Sequence, residues 1–282
     1  MAAELINAVV RYRFMQYAVV ACILISVACG LIGVIITEKK MLMMAGGIAH
    51  TAFGGIGLGF LAGFDPLLGA FLFALMAAFG IGCIKRRRKT QADIPVALFW
   101  SAGMAAGILF IAVMPGYPPD ISSYLFGSIL TLTTKDLVIT AVAAAAVILV
   151  VTSLFSYWKS FLFDEEFAEV TGIKTAVMDY LMLALISVTV VAVIRAAGII
   201  LALTLLAAPA AIAGMFTVRL RARMVGAVLA GIVITSAGLA ISYAADMPSG
   251  ASIALLAAAG YFAVWAGFGI LRKAMYRKAG RN

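Results

Sequence analysis

Nine apolar runs, each close to the length at which a helix crosses a bilayer, restrict this chain to one class of fold. They cover residues 14–36, 41–62, 66–84, 94–114, 137–158, 176–194, 198–216, 224–243 and 251–271. At about 1.5 Å of rise per residue, about 20 residues span a hydrocarbon core of about 30 Å. Lipid offers no partners to backbone amides, so such a run satisfies its own by forming a helix. Composition points the same way: 65% of the 282 residues are hydrophobic and only 12% charged, with a mean hydropathy of +1.14. The chain reads as all-α, a polytopic transmembrane helical bundle of eight or nine spans forming one domain over residues 1–282. No stretch is left for a fused ATPase, kinase or ligand-binding domain.

Charge is confined to the connections and falls mostly on one side. Segments 38–40, 85–89, 159–174, 219–223 and 272–281 share that side and hold 17 of the 21 Lys and Arg, leaving Arg11, Arg13, Lys135 and Arg195 for the other. By the positive-inside rule the first side is cytoplasmic, and an odd number of spans puts the amino terminus outside. The net charge of +9 is thus an orientation signal rather than a sign of nucleic-acid binding. Cys22, Cys29 and Cys83 lie inside apolar runs, where a thiol acts as a small hydrophobe, and no disulfide is expected. The opening residues have no compact apolar core, which argues against a cleavable signal peptide, and residues 4–13 fit an interfacial amphipathic helix.

Two segments interrupt the pattern. In the linker 161–175, Asp164, Glu165, Glu166 and Glu169 alternate with Phe163, Phe167 and Val170, which form one apolar stripe of a short surface helix stopped by Gly172. Anionic lipid repels such acids, so this helix is expected to face a protein. On the other side, residues 115–130 place three prolines before an apolar stretch too short to cross, the pattern of a loop feeding a half-helix that dips back into the protein.

Motifs for soluble chemistry are missing. The chain has no G-x-x-x-x-G-K-[ST] phosphate loop, its single histidine rules out H-E-x-x-H, and no G-x-S-x-G nucleophile turn is present. That histidine, His50, lies a third to halfway along the second span, where an ionisable group marks either a transport path or a buried packing contact. Gly46, Gly47, Gly54 and Gly55 strip side chains from the same helix, permitting close packing or local unwinding. Imidazole suits zinc, manganese or iron. In Asp246-Met-Pro-Ser-Gly250 the backbone must bend, and Asp246 and Ser249 offer oxygens for an ion, or Asp246 caps the ninth span. Pro209 lies inside the seventh span, where it predicts a hinge or a close helix contact near Leu205.

Together these segments resemble the integral-membrane permease subunit of the zinc/manganese/iron ABC importer family. The resemblance rests on residues 124–130 (YLFGSIL), 163–172 (FDEEFAEVTG), 198–213, 242–253 and the glycine-rich stretch around His50. It implies a plasma-membrane permease working as a homodimer, or occasionally a heterodimer, among membrane lipid. Two cytoplasmic ATP-binding-cassette ATPases would bind and hydrolyse the ATP, and an extracytoplasmic metal-binding protein would deliver the substrate. No cofactor is permanently bound; the divalent metal is cargo, moved by alternating access. The resemblance assigns Phe163, Asp164, Glu165, Glu166, Phe167 and Gly172 to the helix that couples to the ATPase, and His50 to metal passage. The family commonly reads Gly-Asp-Ala-x-Ser-His in the second span; here Gly46 stands where that Asp would be. The alternatives are a gradient-driven carrier of metal or organic ions, weakened by the lack of paired intramembrane carboxylates, and a scaffold subunit that moves nothing.

Overall fold

The computed structural model describes residues 9–88, 93–116 and 127–279. Among them the order is α1 (Arg13–Glu38), α2 (Leu42–Ala62), α3 (Pro66–Arg88), α4 (Asp93–Ala112), a short 3-10 turn (Ile129–Thr131), α5 (Thr134–Ser153), α6 (Phe155–Phe163), α7 (Glu165–Val170), α8 (Thr175–Phe216), α9 (Leu220–Ala245) and α10 (Ser249–Ala279). Eight of these helices are long and apolar enough to cross a membrane. Most of the expected half-helix at 115–130 and the start of the 4–13 segment lie outside the described residues; residues 9–11 form one helical turn.

The eight helices accommodate nine apolar runs because α8 contains two of them. Its 42 residues are interrupted at Gly198, whose φ of 82° and ψ of 167° are not helical. Asp179 near the start of α8 pairs with Arg86 at 3.2 Å and lies in the field of Lys39. Gly214 near its end meets the guanidinium of Arg223, which is paired with Glu38, the neighbour of Lys39. Residues 179 and 214 would be about 50 Å apart on a straight helix. Both instead sit at one end of the bundle, so arms 175–197 and 199–216 run antiparallel. Of the two readings of Pro209, hinge or close helix contact, the structure fits the contact: Pro209 is buried inside a continuous second arm, and the reversal falls at Gly198.

The fifth run is also corrected. α5 starts at Thr134, three residues before the run predicted, because Thr133 and Asp136 form a capping box, the Thr133 hydroxyl accepting from the Asp136 N–H and the carboxylate from the Thr133 N–H. It stops at Ser153, and Leu154 turns the chain into α6, so Trp158 belongs to a separate, interfacial helix.

Side-chain pairs divide the bundle into two ends. Glu38 with Arg223, Lys39 with Glu165, and Arg86 with Asp179 mark the end rich in Lys and Arg. At the opposite end Tyr17 meets Thr134, Arg195 Nε donates to Asp136 at 2.8 Å, and Lys135 lies 2.8 Å from Asp65, holding that exposed carboxyl below its ordinary range. Between the ends, α2 is buried between α3 and α4, while α8 packs against α1, α2, α3, α5, α9 and α10. The glycines of α2 make this possible. A Cβ on Gly47 would lie 2.8 Å from Val96, one on Gly54 2.8 Å from the Gly103 carbonyl, and one on Gly57 2.6 Å from that of Gly107, while Gly55 meets Gly69 of α3 backbone to backbone. α2 is a continuous helix of 21 residues, so its glycines serve close packing and not unwinding.

The hairpin tip is crowded as well as strained: Gly127 approaches the Ala197–Gly198 backbone directly. Replacing Gly198 by Ala forces a side chain into a backbone region that glycine alone tolerates, at a cost of about 1–3 kcal/mol. Gly260→Ala, where an added Cβ meets nothing, is the control. Thermal unfolding in detergent is expected to show a lowered midpoint for the first and none for the second; equal midpoints would refute the reversal at Gly198.

Candidate translocation and docking sites

His50 follows the first residue of α2 by eight positions, which puts it about 12 Å from the basic end of the bundle. Its ring is half-buried and faces α4. There it stacks on Trp100, with ring centroids 4.0 Å apart and planes 13° from parallel, and its Nδ1 lies 3.3 Å from the Met104 sulfur. Trp100 and Met104 are one turn apart on α4, so both reach the same imidazole. Thr51 fixes the register beside it, donating to the Gly47 carbonyl at 2.7 Å and to the Phe99 carbonyl of α4 at 2.9 Å. Gly46, one turn before His50, provides no side chain, and the Trp100 ring lies 3.1 Å from where its Cβ would be. Among the described residues no acid pairs with His50, and no group of three or more His, Cys, Asp or Glu is placed to hold a metal ion.

Asp246 and Ser249 are not brought to His50. Both lie at the opposite end, in the turn between α9 and α10. Asp246 is exposed and left-handed (φ 52°), closing α9 through its own N–H to the Ser242 carbonyl rather than capping α10. Ser249 is buried and accepts the Ile129 N–H at 2.9 Å, and Ser242 donates to the Met247 carbonyl at 2.6 Å. The motif is a locked turn whose polar groups are largely engaged by the backbone. Trp100 and Met104 were invisible as site residues because nothing in their own segment indicates which helix they face. Asp136 and Arg195 carried a usable signal: two isolated charges at the edge of apolar runs, each needing a partner.

The second candidate site is at the basic end. The expected surface helix is two short helices, α6 and α7, broken at Asp164, which caps α7 by accepting the Phe167 N–H at 3.0 Å. Ala168 turns inward, while Phe163, Phe167 and Val170 turn away from the bundle with exposures of 90%, 58% and 87%. Glu166 and Glu169 are exposed beside them. Gly172 ends the element at φ 87°. Three large exposed apolar side chains, Phe163 at the end of α6 and Phe167 and Val170 on the six-residue α7, fit a protein contact.

The sequence matches the ABC 3 transport family over residues 11–267. It is 40% identical over 254 residues to an uncharacterized membrane protein of Synechocystis sp., covering 89% of each chain. It is 30% identical over 246 residues to the manganese transport system membrane protein MntC of Halalkalibacterium halodurans, covering 87% of this chain and 84% of that one. The fold superposes on a chain of PsaBC from Streptococcus pneumoniae with a TM-score of 0.85 at 29% identity, covering 94% of this chain and 95% of the other. Helix order, membrane spans and sequence thus agree, and the chain belongs to the ABC 3 transport family as an integral-membrane transport permease.

Proposed function

We propose that this permease lines the translocation path of an ATP-binding-cassette importer for a divalent metal ion, with ATP bound and hydrolysed by separate partner subunits. The observation that carries the reading is the family match from residue 11 to residue 267, which includes manganese-transport relatives of similar length. The docking geometry supports the division of labour: the chain has no phosphate loop but exposes an apolar, acid-edged short helix at the end rich in Lys and Arg. ATP-driven closure of the ATPases would move that helix and shift the permease between outward- and inward-open states, to the extent that ATP binds one state better than the other. That basic end is cytoplasmic, the Asp246 end faces the extracytoplasmic binding protein, and the membrane is the plasma membrane. A second copy of the chain completes the path.

His50 is the path residue. A half-buried imidazole at membrane depth would be costly against lipid and is tolerable against water, a second copy or a passing ion. The donors around it are imidazole nitrogen and thioether sulfur, which suit zinc or iron better than manganese, a cation that prefers carboxylate and water.

Cellular zinc, manganese and iron measured by elemental analysis in a metal-limited strain test this reading. One metal is expected to accumulate with the intact transporter and to fall by about tenfold or more with His50→Ala, as loss of a metal-site group commonly does. The same loss is expected with an ATPase-dead partner. Equal accumulation with a dead ATPase would establish a gradient-driven carrier instead. Orientation is tested in a background lacking Cys22, Cys29 and Cys83, with single cysteines at Glu166 or Met247. A membrane-impermeant maleimide is expected to label position 247 in intact cells and position 166 only after permeabilisation; the reverse pattern would invert the topology.

A further inference from the structure

We propose that Lys39 is a positioning residue that carries movement of the docking helix to α2, the helix bearing His50. The inference rests on the reading of α7 as the ATPase-docking element. Its basis is the way one side chain is held. Lys39 Nζ lies 2.9 Å from Glu165 Oε2, at the first residue of α7, and 3.5 Å above the ring of Phe161, in the last turn of α6. The Lys39 side chain is only 13% exposed and Phe161 is fully buried. The cation is held between a half-exposed carboxylate and a buried aromatic face, two contacts that together restrain it more than either does alone. Both sides of the clamp belong to the docking unit.

The other end of the lever is equally short. Only Lys39, Lys40 and Met41 separate the end of α1 from the start of α2. Lys40 is left-handed (φ 55°), and the Lys40 and Met41 amides donate to Thr37 and Ile36 carbonyls of α1 at 3.1 and 2.9 Å. Such a corner has no slack, so a displacement of Lys39 is a displacement of the first turn of α2. Glu38, one residue earlier, is tied to Arg223 at the start of α9, and Arg223 in turn packs on Gly214 of α8. Asp179, at the start of the first arm of α8, feels Lys39 and Glu165 as well as its own partner Arg86. The corner therefore meets α7, α8 and α9 within two residues.

This geometry separates two acids that the sequence presents as equivalent. Both are exposed, but Glu165 is paired with Lys39 and transmits, whereas Glu166 belongs to the docking face.

The test uses the transporter assembled with its ATPase and binding protein in liposomes, offered zinc, manganese and iron. Wild type, K39E, E165K, the K39E/E165K exchange, K39R and E166K are compared for metal uptake, ATP hydrolysis and retention of the ATPase on the permease. K39E and E165K are expected to keep the ATPase bound and hydrolysing while uptake falls by about tenfold, within the usual range of coupling between sites. The exchange and K39R are expected to recover most of the uptake, which a charge needed only for folding or docking would not explain, and E166K is expected to loosen the ATPase instead. Wild-type uptake with an unaffected K39E overturns the inference alone. So does an assembled exchange variant no better than its parents, or loss of the ATPase from K39E and E165K. No ATP-dependent uptake by wild type, whatever the metal, overturns the function itself and the inference with it.

Discussion

Helices in lipid gain nothing from hiding apolar side chains from one another, since lipid tails are equally apolar, so tight association depends on how closely backbones approach. In this permease that constraint is met by α2. Gly54 and Gly57 press on Gly103 and Gly107 of α4 from one side, and Gly55 meets Gly69 of α3 from the other. With backbones this near, dispersion contacts accumulate along the whole helix and the Thr51 hydroxyl can bridge to the Phe99 carbonyl. A helix held in this way moves as a rod. The His50 ring is oriented by Trp100 and Met104 of α4, and its backbone travels with α2.

Charges complete the frame because each is costly at membrane depth unless paired. The opposite end has Arg195 on Asp136, which anchors the first arm of α8, three residues before its reversal, to the capped start of α5. The basic end has three pairs that join α1 to α9, the α1–α2 corner to α7, and α3 to α8. One end therefore pins the hairpin tip, and the other gathers both hairpin feet around the docking unit. A push on α7 acts on helices that are tethered at the far end, which is the arrangement of a hinge.

The sequence made the helical class, the position of most spans, the partition of charge and the exposed apolar residues near 163–170 legible, since each follows from a local pattern of period, length or composition. Phe163, Phe167 and Val170 are all exposed, as a surface stripe requires, although the chain breaks at Asp164 and places Phe163 on α6 and the other two on α7. Features set by partners distant in sequence were not legible. Pro209 suggested either a bend or a close contact; it is buried in a straight arm, and the bend falls at Gly198, where the Gly127 backbone packs against the tip. Asp246 looked like a ligand or a helix start; its backbone closes α9, while Ser242 bonds within the turn and Ser249 ties it to Ile129. Glu165 and Glu166 are adjacent exposed acids, and what sets Glu165 apart is its pairing with Lys39, 126 residues away in sequence.

The least expected pairing is Gly46 with Trp100. A missing side chain on α2 and a large one on α4 fill the same space, so the imidazole of His50 faces an indole and a thioether where the family commonly places a carboxylate one turn away. Under the proposed function this changes what the site does to an ion. Two neutral donors give contact without neutralising a double charge, so the cargo keeps much of its own hydration or takes charge from the second copy. Conduction requires binding strong enough to admit an ion and weak enough to release it. Under that reading a site without a carboxylate lies on the weak side of the balance, which would leave selection of the metal to the delivering protein and only a sorting of softer from harder ions to this helix.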